Sequence, residues 1–263
     1  GAYITGLIDP NVRSDAYSAI TTAMNKQAGI SIQIPRSKAK NAVMCAFYGS
    51  KAQPKIIFGD ETPELEAFFK TMGEEAPGAW TLLHELLDSW NPGALEHSWM
   101  LPDGYDVRVK VMQKVSKRIE VDELAHSTFT YEFEVNEGTE KGKSNAANVV
   151  HSVDAYVLRT MQRKCNYHKD AFTLAYSYIN SELQHRSPNW KPKEAQHPAE
   201  SRYQQFKMAD LSTIDTAWTA DFENFSTEHL THLKRLIEDC LQHEPFELIT
   251  VHDAFAAQAA NCN

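Results

Sequence analysis

Arg36, Lys40, Met44 and Tyr48 recur at steps of four within the stretch from Pro35 to Lys51, a run of good helix formers between a proline and Gly49. At ~100° per residue a step of four overshoots a full turn by only ~40°, so on a helix these side chains form one slowly spiralling stripe. Two cations lead and an aromatic ring closes it. Such a stripe can hold a polyanion at one end and stack against a flat ring at the other. The same spacing also describes a solvated basic face, the commoner fate of cations at i, i+4. Near the far end of the chain, His252-Asp253 stands at the tip of an apolar run from Phe246 to Phe255, a weak signal by itself.

The elements that must position these groups follow from local rules. Pro35 and Gly49 bracket a helix over 35–49, with proline at a favoured first position and glycine as a left-handed cap. Asp9-Pro10 reads as a helix start, with Val12 to Ala28 helical, and Asp9 and Asp15 serve as capping and surface carboxylates. Thr62-Pro63-Glu64 opens a helix ending near Gly73. Ala79 to Trp90 is another, stopped by Asn91-Pro92-Gly93, with Leu82, Leu83, Leu86 and Leu87 as its core face. The period then changes. Val107, Val109 and Val111 alternate with Arg108 and Lys110, and Phe129, Tyr131, Phe133 and Val135 alternate with polar residues. These are two half-buried strands whose pairing sets cations opposite carboxylates, joined by a long polar connection from Met112 to Thr128. Ser226 or Thr227 caps a late helix that buries Leu230, Leu233, Leu236, Ile237 and Leu241.

Composition bounds the alternatives. The chain has 263 residues, enough for one or two domains with a real core, and 42% hydrophobic residues. Its formal net charge of −9 argues against holding nucleic acid by bulk charge, yet cations cluster locally, at Arg36/Lys38/Lys40, Arg108 to Arg118 and Arg159/Arg163/Lys164. Four widely spaced cysteines read as reduced thiols of a cytoplasmic protein, not a zinc site. No apolar run reaches membrane-spanning length and no signal peptide opens the chain. His84-Glu85-Leu86-Leu87-Asp88 lacks the second histidine of a zinc-protease motif and reads as helix surface.

Arg-Ser-x-x-Lys-x-x-x-Met-x-x-x-Tyr-Gly-Ser-Lys, from Arg36 to Lys51, closely resembles the fingers helix (motif B) of the phage-type single-subunit RNA polymerases. In the right order downstream, Phe246 to Phe255 with its His-Asp resembles motif C of the palm, and Ala254 after the pair suits the RNA enzymes over their DNA-polymerase relatives. Asn145 to Met161 is similar to the segment that closes the fingers and enters the palm. Pro102-Asp103-Gly104-Tyr105 is similar to the turn before an extended hairpin that enters the promoter major groove. The likeness covers Ile8 to about Arg163 discontinuously, then Pro245 to Phe255; it fails over an insertion at about 167–242.

The resemblance implies an α+β fold: mainly helical fingers over 1–150 with a specificity-type hairpin at about 106–136, then a partial palm over 151–263 with a small antiparallel sheet. It implies template-dependent ribonucleotidyl transfer with two Mg²⁺ ions, Asp253 being the metal ligand here and His252 supporting the RNA 3′ end. Arg36 and Lys40 clamp the triphosphate. Tyr48, beside Met44, helps select ribonucleotides, Gly49 lets the backbone approach the template, and His151 touches a minor groove or ribose. The partners implied are template DNA, RNA product and nucleoside triphosphates. Motif A, which supplies the other metal-binding aspartate, is missing, as is the family's C-terminal palm segment. A second polypeptide supplying that aspartate, as in the split phage polymerases, or a longer chain is therefore expected. A non-catalytic nucleic-acid-binding subunit of the same fold, and part of a family A-like DNA polymerase or primase, remain open.

Overall fold

Asp15 sets the first described element. The structure, a computed structural model, describes residues 15–27, 33–140, 142, 144–187, 190–191, 197–216, 219–251 and 254–258. Asp15 is extended (φ −116°, ψ 107°) and its carboxylate accepts from the Tyr17 N–H, which makes it the cap of α1 (Ala16–Asn25). The helix expected over Val12–Ala28 is corrected accordingly, because an extended residue at 15 cannot lie inside it. Asp9 and Pro10 lie outside the described residues.

The Asn25 side chain then grips the backbone of Ile34, donating to its carbonyl at 3.0 Å and accepting from its N–H at 2.9 Å. That fixes the chain just before α2 (Arg36–Phe47). Pro35 occupies the cap position rather than the first helical one (φ −74°, ψ 147°), so the helix is shorter than the expected 35–49. It ends where Gly49 turns to φ +80°. Gly49 N–H donates to the Ala46 carbonyl and Ser50 N–H to that of Cys45, the paired closure that a left-handed glycine permits. A short α3 (Ala52–Phe58), not foreseen from sequence, comes next, followed by α4 (Pro63–Glu75), capped by Thr62 Oγ1, and α5 (Pro77–Asp88). Ile20, Met24, Val43, Phe58, Phe68 and Met72 form the core these helices share. The buried side of α2 is Ala39, Ala42, Val43 and Ala46, small residues that let its neighbours come close.

Among the described residues, three two-stranded antiparallel sheets accompany the helices, giving an α+β fold. Strands β1 (Glu96–Met100) and β2 (Asp106–Lys110) pair with each other, and β3 (Met112–Val121) pairs with β4 (Ser127–Asn136). The expected pairing of the Val107–Val111 strand with the Phe129–Val135 strand, within a hairpin at 106–136, is thereby overturned. The supposed polar connection is itself a ten-residue strand, and the long hairpin spans 112–136. Nor is β4 half-buried: Phe129, Tyr131 and Phe133 are 51%, 43% and 37% exposed. The expected facing of Arg108 and Lys110 with the carboxylates of that strand falls with the overturned pairing; in the observed ribbon it is Lys114 that faces Glu134.

The chain divides into two compact units, Gly1–His97 with Val109–Val150, and Ser98–Arg108 with His151–Asn263. Helix α6 (Ser144–Cys165) begins in the first and, from His151, belongs to the second, which goes on through α7 (Lys169–His185), α8 (Pro198–Phe206), α9 (Ser212–Thr216), a 3-10 turn at Thr219–Asn224 and α10 (Thr227–Leu241). The segment at about 167–242 therefore has a core of its own, built on Phe172, Ile179, Leu211, Phe225, Leu230, Leu233 and Ile237. Ser226 caps α10 by accepting from His229 N–H. Strands β5 (Ile249–Val251) and β6 (Ala254–Ala256) pair antiparallel, with Val251 opposite Ala254. Among the described residues, no helix is long and apolar enough to cross a membrane.

Candidate functional site

Because Ala39, Ala42, Val43 and Ala46 take the buried side of α2, the stripe at 36, 40, 44 and 48 falls on the adjoining one. Arg36, Lys40 and Met44 are exposed and Tyr48 is half-buried. One residue that the sequence reading passed over links the two ends of the stripe. Tyr17, in the first turn of α1, lies under the Arg36 guanidinium and the Lys40 ammonium, each 5.6 Å from its ring centroid. The same tyrosine lines a cavity of about 280 Å³ with Met44, Phe47, Tyr48, Leu82, Leu83 and Leu86 among its walls. The signal was present in sequence: Tyr17 sits two positions after a capping aspartate, where its ring projects from a first helical turn.

The cations are not equivalent. Arg36 Nε reaches Asp15 Oδ2 at 2.5 Å and Ser18 Oγ at 3.2 Å. The Arg36 hydrogen bond, with help from Ser18, holds the Asp15 carboxyl down at about 2. Asp15 is thus a cap, as expected, and also the counter-ion of the leading cation. Lys40 makes no ion pair with another described residue, which leaves its ammonium the better placed of the two for an incoming anion. Gly49 is buried, and a Cβ there would come 3.2 Å from Leu87 Cδ2. Of the α5 leucines expected in the core, Leu83 is buried whereas Leu82 is 49% exposed, because that face borders the cavity.

His252 and Asp253 lie outside the described residues; β5 and β6 flank them in sequence. His151 is exposed in the interior of α6, not at its start, so it does not cap that helix. Within the second unit, the Pro102–Tyr105 turn is anchored to α6. Arg159 grips Asp103 through Nε at 2.6 Å and Nη2 at 3.1 Å, and Arg163 Nη1 adds a third bond at 3.1 Å. Burial alone would raise the Asp103 carboxyl, but these arginines outweigh it and hold it below its ordinary value. The Arg159 guanidinium also lies 4.7 Å above the Tyr105 ring. Arg163 further approaches Asp210 and Asp215, at 3.9 and 3.8 Å. The cationic cluster read from sequence at Arg159 and Arg163 is therefore internally compensated and offers little to a phosphate backbone.

The tip of the β3–β4 ribbon brings Glu120, Asp122 and His126 together, their ligand atoms all within 4.8 Å of one another and all three residues exposed. His126 Nδ1 sits 2.9 Å from Glu120 and 3.2 Å from Asp122. No protein-family model and no curated protein matches this chain.

Proposed function

We propose that this chain is the fingers and part of the palm of a DNA-directed RNA polymerase, carrying out template-dependent ribonucleotidyl transfer. One observation supports the proposal above the others: the motif B side chains share one stripe whose cationic end lies over the Tyr17 ring and whose other end, Met44 and Tyr48, borders an apolar cavity that the same ring lines. A triphosphate held at Lys40 and a flat base or sugar set against Tyr48 and Met44 would span that stripe. Antiparallel strands on either side of His252-Asp253 agree with a palm hairpin.

In this mechanism Lys40 and Arg36 position the triphosphate and counter the charge that develops on the pyrophosphate leaving group, and Lys40 can protonate it. Arg36 must share its guanidinium with Asp15 to do so. Tyr48 borders the ribose, Gly49 lets the backbone come near the template, His151 contacts ribose or a minor groove, and His252 supports the RNA 3′ end. Asp253 would hold Mg²⁺, which, as a pair of ions, supplies charge stabilisation to the attacking and leaving oxygens. One carboxylate is too few for such a site. The active form therefore includes a second polypeptide, or a further segment, that contributes the motif A aspartate.

The test uses the chain assembled with the polypeptide that co-purifies with it. Lys40→Ala should lower single-nucleotide incorporation by ~10²–10³-fold, the size typical of removing one preorganised charge-stabilising group, while template affinity holds. Unchanged turnover would remove the triphosphate clamp. The Arg36–Asp15 tie favours a second reading, a nucleic-acid-binding subunit of polymerase fold without catalysis; in that case Asp253→Ala leaves synthesis by the complex intact.

A further inference from the structure

The β3–β4 ribbon sorts its side chains sharply between two faces. Strand alternation and the register put Val115, Lys117, Ile119 and Val121 on one face with Phe129, Tyr131, Phe133 and Val135. Lys114, Ser116, Arg118 and Glu120 share the other with Thr128, Thr130, Glu132 and Glu134. Every strand carboxylate is on the second face. The first holds three aromatic rings and a single charge, the Lys117 ammonium opposite Tyr131. Its rings are exposed, Ile119 beside Phe129 is 43% exposed, and Tyr131 and Phe133 lie over each other at 5.4 Å and 25°.

A two-stranded ribbon with an apolar face open to water is poorly stable alone and calls for an occupant. Size argues against a folded protein. Ten residues at ~3.4 Å each, across two strands ~4.8 Å apart, give a face of roughly 34 by 10 Å, about 340 Å². A stable protein interface needs about 800 Å² from each partner. Duplex DNA fits no better: base edges in a major groove are read by hydrogen-bonding groups, and this face offers mainly rings. A long, narrow aromatic strip with one cation and no carboxylate matches an unpaired strand, whose bases stack on rings without regard to sequence while its phosphates meet the cation.

We propose that the Phe129–Tyr131–Phe133 face of this ribbon is a stacking platform for single-stranded nucleic acid. It goes beyond nucleotidyl transfer and requires neither Lys40 nor Asp253. The experiment measures fluorescence anisotropy of labelled twelve-nucleotide oligo(dT) and oligo(U) with the full chain, in the absence of nucleotides, so it is independent of any polymerase activity. Both strands should bind, and a twelve-base-pair duplex more weakly. Tyr131→Leu, which keeps apolar bulk and loses the ring, should weaken binding at least fivefold, and Tyr131→Trp should preserve it. Glu132→Gln on the opposite face should not weaken it. Absence of single-strand binding, a preference for the duplex, or equal affinity of Tyr131→Leu and the parent chain would each overturn the proposal. Circular dichroism of each variant confirms that the ribbon is folded.

Discussion

Glu200 and His229 form a buried pair, each about 1% exposed, between α8 and α10. Three donors converge on the carboxylate: Gln204 Nε2 at 2.6 Å on one oxygen, His229 Nδ1 at 2.9 Å and Ser226 N–H at 3.1 Å on the other. The imidazole is held between the Tyr203 ring at 4.3 Å and the Phe225 ring at 4.8 Å, both nearly parallel to it. Glu200→Gln keeps the shape and removes the charge. Hydrogen bonds to an ionised group exceed neutral ones by about 1 kcal/mol each, so three weakened bonds cost about 3 kcal/mol. Proton linkage gives the same size. Burial alone would raise this carboxyl, but His229, Gln204 and Ser226 hold it at about 2 against 4.5 for an ordinary glutamate. At ~1.4 kcal/mol per unit this is again about 3 kcal/mol. For a depressed carboxyl that stability is complete above pH 4.5 and is lost as pH falls toward 2. Urea unfolding followed by near-ultraviolet circular dichroism at pH 7 should therefore separate parent and variant by about 3 kcal/mol. By pH 3 the gap should shrink to under half. A gap below about 1 kcal/mol at pH 7, or one unchanged at pH 3, would refute the argument.

Two further outcomes follow from the α2 region. Gly49→Ala places a Cβ at φ +80° and 3.2 Å from Leu87 Cδ2, so it should destabilise by ~1–2 kcal/mol, read as a lower urea midpoint in the isolated chain. On the polymerase function proposed above, Tyr48→Phe leaves the ring against the cavity and should relax discrimination against deoxynucleotides in the complex. Competition between ribo- and deoxynucleotides measures it, and equal selectivity in variant and parent would remove Tyr48 from that role.

Much of this architecture could be read from local chemistry. Thr62 and Ser226 announce their helices because a hydroxyl there satisfies an orphan N–H, and Gly49 ends α2 because it reaches a conformation other residues avoid. Asp15 carries the same signal, but a longer hydrophobic period running from Val12 hid it. Strand β3 was missed for a different reason. Exposed nearly throughout, with Lys117 in the row between Val115 and Ile119, it shows no clean alternation between core and water, and alternation is what marks a strand. Distance in sequence concealed the rest. Arg159 meets Asp103 from 56 residues away, and His229 meets Glu200 from 29, so only folding reveals that these charges are matched. The same holds for Tyr17 under Lys40: neither residue names the other until two helices are laid side by side.

A helix seated on Ala39, Ala42, Val43 and Ala46 has only short side chains between it and the helices beneath, like a rail bolted to its bed with thin shims. Its upper side chains can change without disturbing the seat. One extra methylene underneath, however, would lift the rail and carry Arg36, Lys40 and Tyr48 away together. Tolerance to mutation along this helix should accordingly divide by side: permissive above wherever fold alone is selected, and intolerant below even among hydrophobic replacements.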